Sequence, residues 1–300
     1  MTTADRPRNP DDYCYRHPDR QSFVLCQRCL RTICADCQTQ GPVGVVCPEC
    51  MKEQRKRRTP AQRRAERRWR GGGAVAIAGG RPRVMAWIAG ITAVAYLLQM
   101  VDGYGFGGAI GVQQWLAFYA PTLYPELTGT TQPWRLVTVA LVHGGFWHVG
   151  LNLLSLWMIG RILEPIIGSG RFLALYVLST IGGSVAVALL AFSTPVVGAS
   201  GAVFGLLGTL LVIGRRLGGD IRGILVVLGI NLVIGFIPGF NVSWQAHVGG
   251  LITGLVVGLV LARTSGRNRR GLQIALLSLV GVALLALLAV PPVLGYPSLT

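Results

Sequence analysis

The sequence predicts an all-α polytopic membrane protein preceded by a small cysteine-rich domain. Three observations carry that expectation. The 300-residue chain is 51% apolar with a mean hydropathy of +0.51, too hydrophobic for an ordinary soluble domain of this size. From Val84 onward its apolar residues gather into seven runs compatible with membrane helices. All seven cysteines lie before Met51, and the apolar part has none. Charge divides the chain the same way, because 18 of the 28 Lys and Arg residues precede Val84.

In chain order, residues 1–12 are polar and are expected to form a disordered tail. Residues 13–53 hold the cysteines. Residues 54–83 form a basic, Arg- and Gly-rich linker. Its arginine run at 54–70 has the propensity for a short surface helix, Gly71-Gly72-Gly73 and Gly79-Gly80 read as a hinge, and the apolar stretch 74–78 is too short to span a bilayer. Residues 84–300 are the membrane domain. Its spans are expected near 84–101, 147–163, 172–192, 199–214, 223–238, 245–262 and 272–290. Several are at the short end for a spanning helix, which implies packed neighbours, tilt or local thinning. The stretch 102–146 holds Trp115, Phe118, Tyr119, Tyr124 and Trp134. Aromatics of this kind favour the membrane interface, so a folded, partly embedded lobe is expected there.

Arginines fix the expected orientation. They fill the N-terminal arm and the connections at Arg161 and Arg171, at Arg215, Arg216 and Arg222, and at Arg263, Arg267, Arg269 and Arg270. The alternate connections hold only Arg135. The positive-inside rule then puts the N-terminus in the cytoplasm and the C-terminus outside. A polar start predicts no cleavable signal peptide, so the first span serves as the insertion signal. Arginine over lysine, with abundant alanine and glycine, points to a GC-rich bacterial source and hence to the plasma membrane.

Polar residues inside the apolar spans are costly and mark function. His148 and Asn152 open the second span, Ser200 the fourth and His247 the sixth. These spans all run inward from outside, so the four residues share a depth in the outer leaflet. His148 and Asn152, four apart, share a helix face. Chemistry then suggests the roles. Ser200 attacks a scissile carbonyl, and His247 takes its proton and passes it to the leaving amine. His148, Asn152 and the Ser200 backbone N–H donate to the developing oxyanion. Of the acids beyond Val84, Glu164 and Asp220 fall on the cytoplasmic side, so a Ser–His dyad is the economical reading. Gly201 and Gly205, and Gly250, Gly254 and Gly258, form small-xxx-small series that let spans four and six approach. Irregular backbone at Gly198 to Ser200 is tolerable where it lines a watery cavity.

Each residue also has a plainer reading. A serine at a helix start is usually a cap, and a lone membrane histidine is often a satisfied structural group. Their shared depth outweighs those readings for the four residues together. His143, before Gly144-Gly145, keeps the plain reading and is assigned no role. Trp134 and Arg135 are expected to be structural or lipid-facing, with Arg135 bonded to loop backbone or headgroups.

Residues 84–300 resemble the rhomboid intramembrane serine proteases. The resemblance rests on Trp134-Arg135, His148-x-x-x-Asn152, Gly198-x-Ser200-Gly201 and Ala246-His247-x-x-Gly250. It implies Ser200 as nucleophile, His247 as base, His148 and Asn152 at the oxyanion, and Phe204 packed on the histidine beside Gly198 and Gly201. It also implies a six-helix core plus one C-terminal helix, and cofactor-free cleavage of transmembrane protein substrates near the outer face. Two rivals are an inactive rhomboid-like protein that binds membrane clients without cutting them, and a transporter or channel. Intact Ser200 and His247 weigh against the first. Polar residues confined to one leaflet weigh against the second.

The N-terminal pairs are Cys14-x2-His17, Cys26-x2-Cys29, Cys34-x2-Cys37 and Cys47-x2-Cys50. Eight ligands suit two tetrahedral zinc sites, and about 40 residues hold too little core to fold without such staples. A cytoplasmic location makes disulfides an unlikely alternative. The pattern resembles a B-box zinc finger, which implies interleaved sites: Cys14, His17, Cys34 and Cys37 around one ion, and Cys26, Cys29, Cys47 and Cys50 around the other. Spacing alone also allows sequential pairing. The expected partners are anionic lipid headgroups at the basic linker and a cytosolic protein at the zinc module, with nucleic acid ranked last.

Overall fold

The computed structural model describes residues 9–40, 44–57, 82–105, 107–218, 220–234, 242–293 and 295. They fall into two compact units, one within residues 1–66 together with 214–223, the other formed by the rest.

The small unit opens on an antiparallel hairpin. Strand β1 (Tyr13–Cys14) pairs with β2 (His17–Gln21), with Cys14 opposite His17. A second pair, β3 (Thr39–Gln40) and β4 (Val45–Val46), leads into helix α1 (Pro48–Arg57). Pro48 opens that helix, where its missing N–H removes no intrahelical bond. The buried core consists of Cys14, Cys26, Cys34, Cys37, Cys47 and a single aliphatic residue, Ile33. Residues 9–12, expected to be loose, are instead folded. Pro10–Asp12 forms a 3-10 turn, Ser22 N–H donates to Asp12 O at 3.0 Å, and Thr32 Oγ1 donates to Asp11 O at 2.5 Å. Helix α1 also runs four residues past the expected boundary at 53. The rest of the expected linker, residues 58–81, lies outside the described residues, as does the tail before residue 9.

Among the described residues, the large unit carries seven long helices: α2 (Arg83–Gly105), α3 (Phe146–Ile167), α4 (Ser169–Leu190), α5 (Ser200–Leu217), α6 (Arg222–Ile234), α7 (Trp244–Arg263) and α8 (Arg270–Leu287). Among the described residues, α2 to α5, α7 and the stretch Arg270–Val293 are long and apolar enough to cross a membrane; α6 is shorter. The fold is thus an all-helical polytopic one, with a C-terminal helix following the core.

Two spans, α2 and α3, are each about five residues longer than the hydropathy pattern suggested. At 22 or 23 residues, α2, α3 and α4 cross ~30 Å of hydrocarbon without thinning it. The apolar runs ended at Asp102 and before Glu164, but both acids are buried and bonded to backbone. Asp102 accepts from Ile110 N–H at 2.9 Å and Val112 N–H at 2.8 Å. Glu164 accepts from Val84 N–H at 3.0 Å and Met85 N–H at 2.8 Å, capping the start of α2. A carboxylate that satisfies orphan helix donors is compatible with burial.

Helices α4, α5 and α7 pack through glycine. A Cβ on Gly250 would strike the Gly201 carbonyl, and one on Gly254 the Gly205 carbonyl; one on Gly183 would lie 3.0 Å from Ala246 O. Thr209 Oγ1 donates to Gly254 O at 2.7 Å across the same seam. Close backbone approach of this kind replaces the hydrophobic effect as the driving force for helix association in lipid.

Between α2 and α3 lies a folded lobe of short helical turns at Val112–Leu116, Ala120–Leu123, Pro125–Thr128, Arg135–Thr138 and Val139–Leu141. Arg135 is its buried anchor, donating to Gln114 O at 2.5 Å, Ala117 O at 2.6 Å and Gln132 Oε1 at 2.5 Å. Trp134 stacks on Trp115 at 6.3 Å. Phe118 forms a two-way backbone bridge with Val196, which ties the lobe to the segment leading into α5.

Candidate active site and metal centres

Helices α3, α5 and α7 each carry a polar residue in the first turn, His148, Ser200 and His247, and packing brings these three starts together. Ser200 is the first residue of α5. Its N–H therefore has no intrahelical acceptor and lies at the positive end of the helix dipole. Two hydrogen bonds hold the residues before it. Gly198 N–H donates to Val139 O at 2.9 Å, and Ala199 N–H donates to His143 Nε2 at 3.4 Å. Gly198 adopts φ +117°, a conformation that favours glycine. A Cβ there would also lie 2.7 Å from His148 Cε1 and Nε2, so the His148 ring rests against the turn that presents the serine.

His247 sits in the first turn of α7, which Ser243 caps by accepting from Ala246 N–H at 3.3 Å. Its ring is buried and stacks on Phe204, with centroids 4.1 Å apart and planes at 14°. Phe204 lies one turn after Ser200, on the same face of α5. Gly201 meets Ala246 across the helix contact, where a Cβ would lie 3.2 Å from Ala246 O. Ser200 and His247 thus occupy neighbouring helix starts. Their side chains are not hydrogen-bonded to each other among the described residues, and catalytic pairs often tighten only with substrate bound. His247 Nδ1 is buried with no partner among the described residues.

His148 faces the same turn. His148 Nδ1 accepts from Gly144 N–H at 3.4 Å. In a neutral ring this leaves the proton on Nε2, the atom against Gly198. Asn152 is buried and gives one Nδ2 hydrogen to His148 O at 2.9 Å, leaving a second. The arrangement gathers a hydroxyl, imidazoles, and side-chain and backbone donors at neighbouring helix starts, the kinds of group that acyl transfer uses.

Residues 130–264 match the rhomboid domain. The matched stretch includes Arg135, His148, Asn152, Ser200 and His247, and leaves out the cysteine-rich unit and α8. The chain is similar to Rhomboid protease GluP of Bacillus subtilis (strain 168), 38% identical over 155 residues, covering 49% of this chain and 29% of that protein. It is similar to RHOMBOID-like protein 5 of Arabidopsis thaliana, 39% identical over 138 residues, covering 43% and 44%. With Rhomboid protein 1, mitochondrial, of Saccharomyces cerevisiae it shares 42% identity over 79 residues, covering 24% and 23%. The chain spans less than half the length of each of these relatives. Its apolar helices, together with this match, indicate a multi-pass membrane protein.

Sequence reasoning gave no role to three groups beside this candidate site: His143, which it left with the plain reading, the Val139 carbonyl and Gln99. Gln99 on α2 brackets residue 143, accepting from its N–H at 3.1 Å and donating to its carbonyl at 2.6 Å. One signal was available. Three of the four histidines lie in the membrane part, and rare ionisable residues there tend to share a site.

In the small unit, Cys14, His17, Cys34 and Cys37 form one cluster, and Cys26, Cys29, Cys47 and Cys50 the other, each with ligand atoms within 4.8 Å of one another. These are the interleaved sets. His17 Nδ1 lies 3.7, 3.3 and 3.4 Å from the sulfurs of Cys14, Cys34 and Cys37, and the Cys29 and Cys47 sulfurs are 3.8 Å apart. A tetrahedral ion with Zn–S bonds of about 2.3 Å sets sulfurs about 3.8 Å apart, so the residues fit zinc.

Their titration fits as well. Burial raises Cys14, but backbone N–H groups of Cys34 and Arg16 outweigh it and bring it to about 6. Burial likewise raises Cys29, and Arg31 brings it to about 6. Burial and the neighbouring thiols push Cys37 up to about 11 and also raise Cys50. Without a cation, each cluster holds at least one ligand protonated. A bound divalent ion reverses that. Both clusters could therefore bind metal ions.

Proposed function

We propose that this chain is an intramembrane serine endopeptidase that hydrolyses peptide bonds of transmembrane protein substrates near the outer leaflet. The observation that carries the proposal is the His247 ring stacked on Phe204, one turn from Ser200 at the start of α5. Ser200 Oγ attacks the scissile carbonyl carbon while His247 accepts its proton. The carbonyl oxygen becomes an oxyanion, held by the Ser200 N–H, His148 Nε2–H and Asn152 Nδ2. Collapse breaks the C–N bond, and His247 delivers the proton to the departing amine. Water, deprotonated by His247, then releases the acyl group and restores Ser200. His247 acts without an orienting carboxylate, because the buried acids Asp102 and Glu164 are both committed to backbone N–H groups.

In this reading the N-terminus is cytoplasmic and the site faces outward across the plasma membrane, which the arginine-bearing connections at 161–171, 215–222 and 263–270 support. The small unit holds two structural zinc ions and takes no part in catalysis. Its exposed Phe23, Leu25 and Leu30 suit a cytosolic protein contact. The basic segment after it suits anionic headgroups; a 58–83 peptide that ignored anionic vesicles at low salt would remove that role.

The test is purified wild type and Ser200→Ala, each incubated with a single-span membrane substrate. A discrete product from wild type alone is expected. Product from both would mean another nucleophile. No reaction of wild-type Ser200 with a fluorophosphonate probe would favour an inactive rhomboid-like protein that binds clients.

A further inference from the structure

We propose that His143 is a positioning residue for the nucleophile: its Nε2, as a hydrogen-bond acceptor for Ala199 N–H, sets the turn that presents Ser200. The proposal rests on the protease reading of the site. His143 is fully buried, yet it lies on neither the helix that carries the serine nor the one that carries the base. Its backbone is bracketed by Gln99 of α2 through two hydrogen bonds. Its ring meets Tyr96 of α2 edge-on at 6.5 Å and His148 of α3 edge-on at 5.1 Å. Its Nε2 then meets Ala199 N–H at 3.4 Å. A continuous path of contacts thus runs from α2, through His143, to the residue before the nucleophile, and touches an oxyanion donor on the way.

The path has a geometric consequence. Ala199 closes the first turn of α5 by accepting from Val203 N–H at 3.0 Å. Residue Ala199 therefore has its carbonyl fixed by the helix and its N–H fixed by His143, so the peptide units on both sides of it are held. With both ends held, the direction of the adjoining Ser200 N–H and side chain is set before substrate arrives, and catalysis depends on such preorganisation. The bond requires an acceptor at that point, so His143 must be neutral with its proton on Nδ1. A donor there would oppose the Ala199 N–H. His143 and His148 then use opposite tautomers, the first accepting through Nε2 and the second donating through it.

The test compares full-length wild type, His143→Leu, which keeps bulk without an acceptor, and His143→Gln, which returns an acceptor at the reach of Nε2. Three quantities are read: kcat and KM on a single-span substrate, thermal midpoint, and amide exchange of peptides spanning 198–202. His143→Leu should lower kcat on the order of 10- to 100-fold with KM unchanged, and should speed exchange at 199–200. His143→Gln should restore most of both. Wild-type exchange in His143→Leu, or equal losses in the two variants, would overturn the proposal. If wild type cleaves nothing, the protease reading fails, and the exchange comparison still decides whether His143 holds the turn.

Discussion

The two units solve opposite problems with the same kinds of residue. In the small unit the reactive side chains are the core: among the described residues, five of the six that form the buried cluster are cysteines, and the sixth is Ile33. In the large unit glycine contacts and apolar packing make the core, and His148, Ser200 and His247 sit at helix starts where backbone donors are already unsatisfied. Removing one polar residue should therefore unfold structure in the small unit, but in the large unit should remove chemistry and leave structure. Size explains the contrast. A chain of about 40 residues cannot bury enough apolar surface to fold unaided, whereas a bundle of spanning helices has backbone bonds and packing to spare.

The sharpest break in that comparison comes from Ser200→Ala. Cleavage should fall by at least about 10⁴-fold, while the thermal midpoint of the membrane unit and the zinc content stay at wild-type values. A large loss of stability instead would mean that the serine is a structural cap, and the division between chemistry and structure would fail at its central residue.

The converse experiment is Cys14→Ala with His17→Ala. Metal content should fall from two zinc ions to one, because each cluster has its own four ligands. Structural zinc contributes on the order of 10 kcal/mol to such modules, so amides in β1 and β2 should lose exchange protection. The α5–α7 seam should keep its own. Loss of both ions would show that the interleaved sites fold as one.

How much of this was legible in the sequence follows from what kind of partner each residue has. Ser200, His148, Asn152 and His247 stood out because polar side chains are conspicuous in apolar runs. The glycine series was visible because its four-residue period is the helix repeat. The contact made by His143 was not legible, although its place among the few membrane histidines was, because its partner is a main-chain N–H 56 residues away and sequence does not display backbone donors. The ends of α2 and α3 were misjudged for the same reason. Asp102 and Glu164 look like span terminators until their carboxylates are seen bonded to N–H groups of Ile110, Val112, Val84 and Met85. Residues 9–12 were read as loose because their anchors, Ser22 and Thr32, are contacts made only in the folded unit.

A packing change should have an intermediate effect. Gly254→Leu drives a side chain into the Gly205 backbone and displaces the Thr209 bond to residue 254. Overpacking of this kind costs about 1–3 kcal/mol. The thermal midpoint in detergent should drop, and cleavage should fall with it, since the same seam brings Ser200 toward His247. If Gly254→Leu is as stable as wild type, the seam is looser than its geometry implies, and packing is not what sets the site.

The smallest effect separates the lobe from the bundle. Asp102→Asn keeps one acceptor oxygen and loses the other, so either Ile110 N–H or Val112 N–H loses its partner. The expected cost is about 1 kcal/mol. Exchange should rise at residues 108–116 and remain unchanged in α4, because the lobe reaches the nucleophile segment through Phe118 and Val196, beyond the part that Asp102 holds. Cleavage should change by less than about threefold, which is about 0.6 kcal/mol of transition-state stabilisation. A larger loss would mean that the start of the lobe, and not only its Phe118 and His143 contacts, holds Ser200 in place. The boundary between scaffold and site would then move outward to the end of α2.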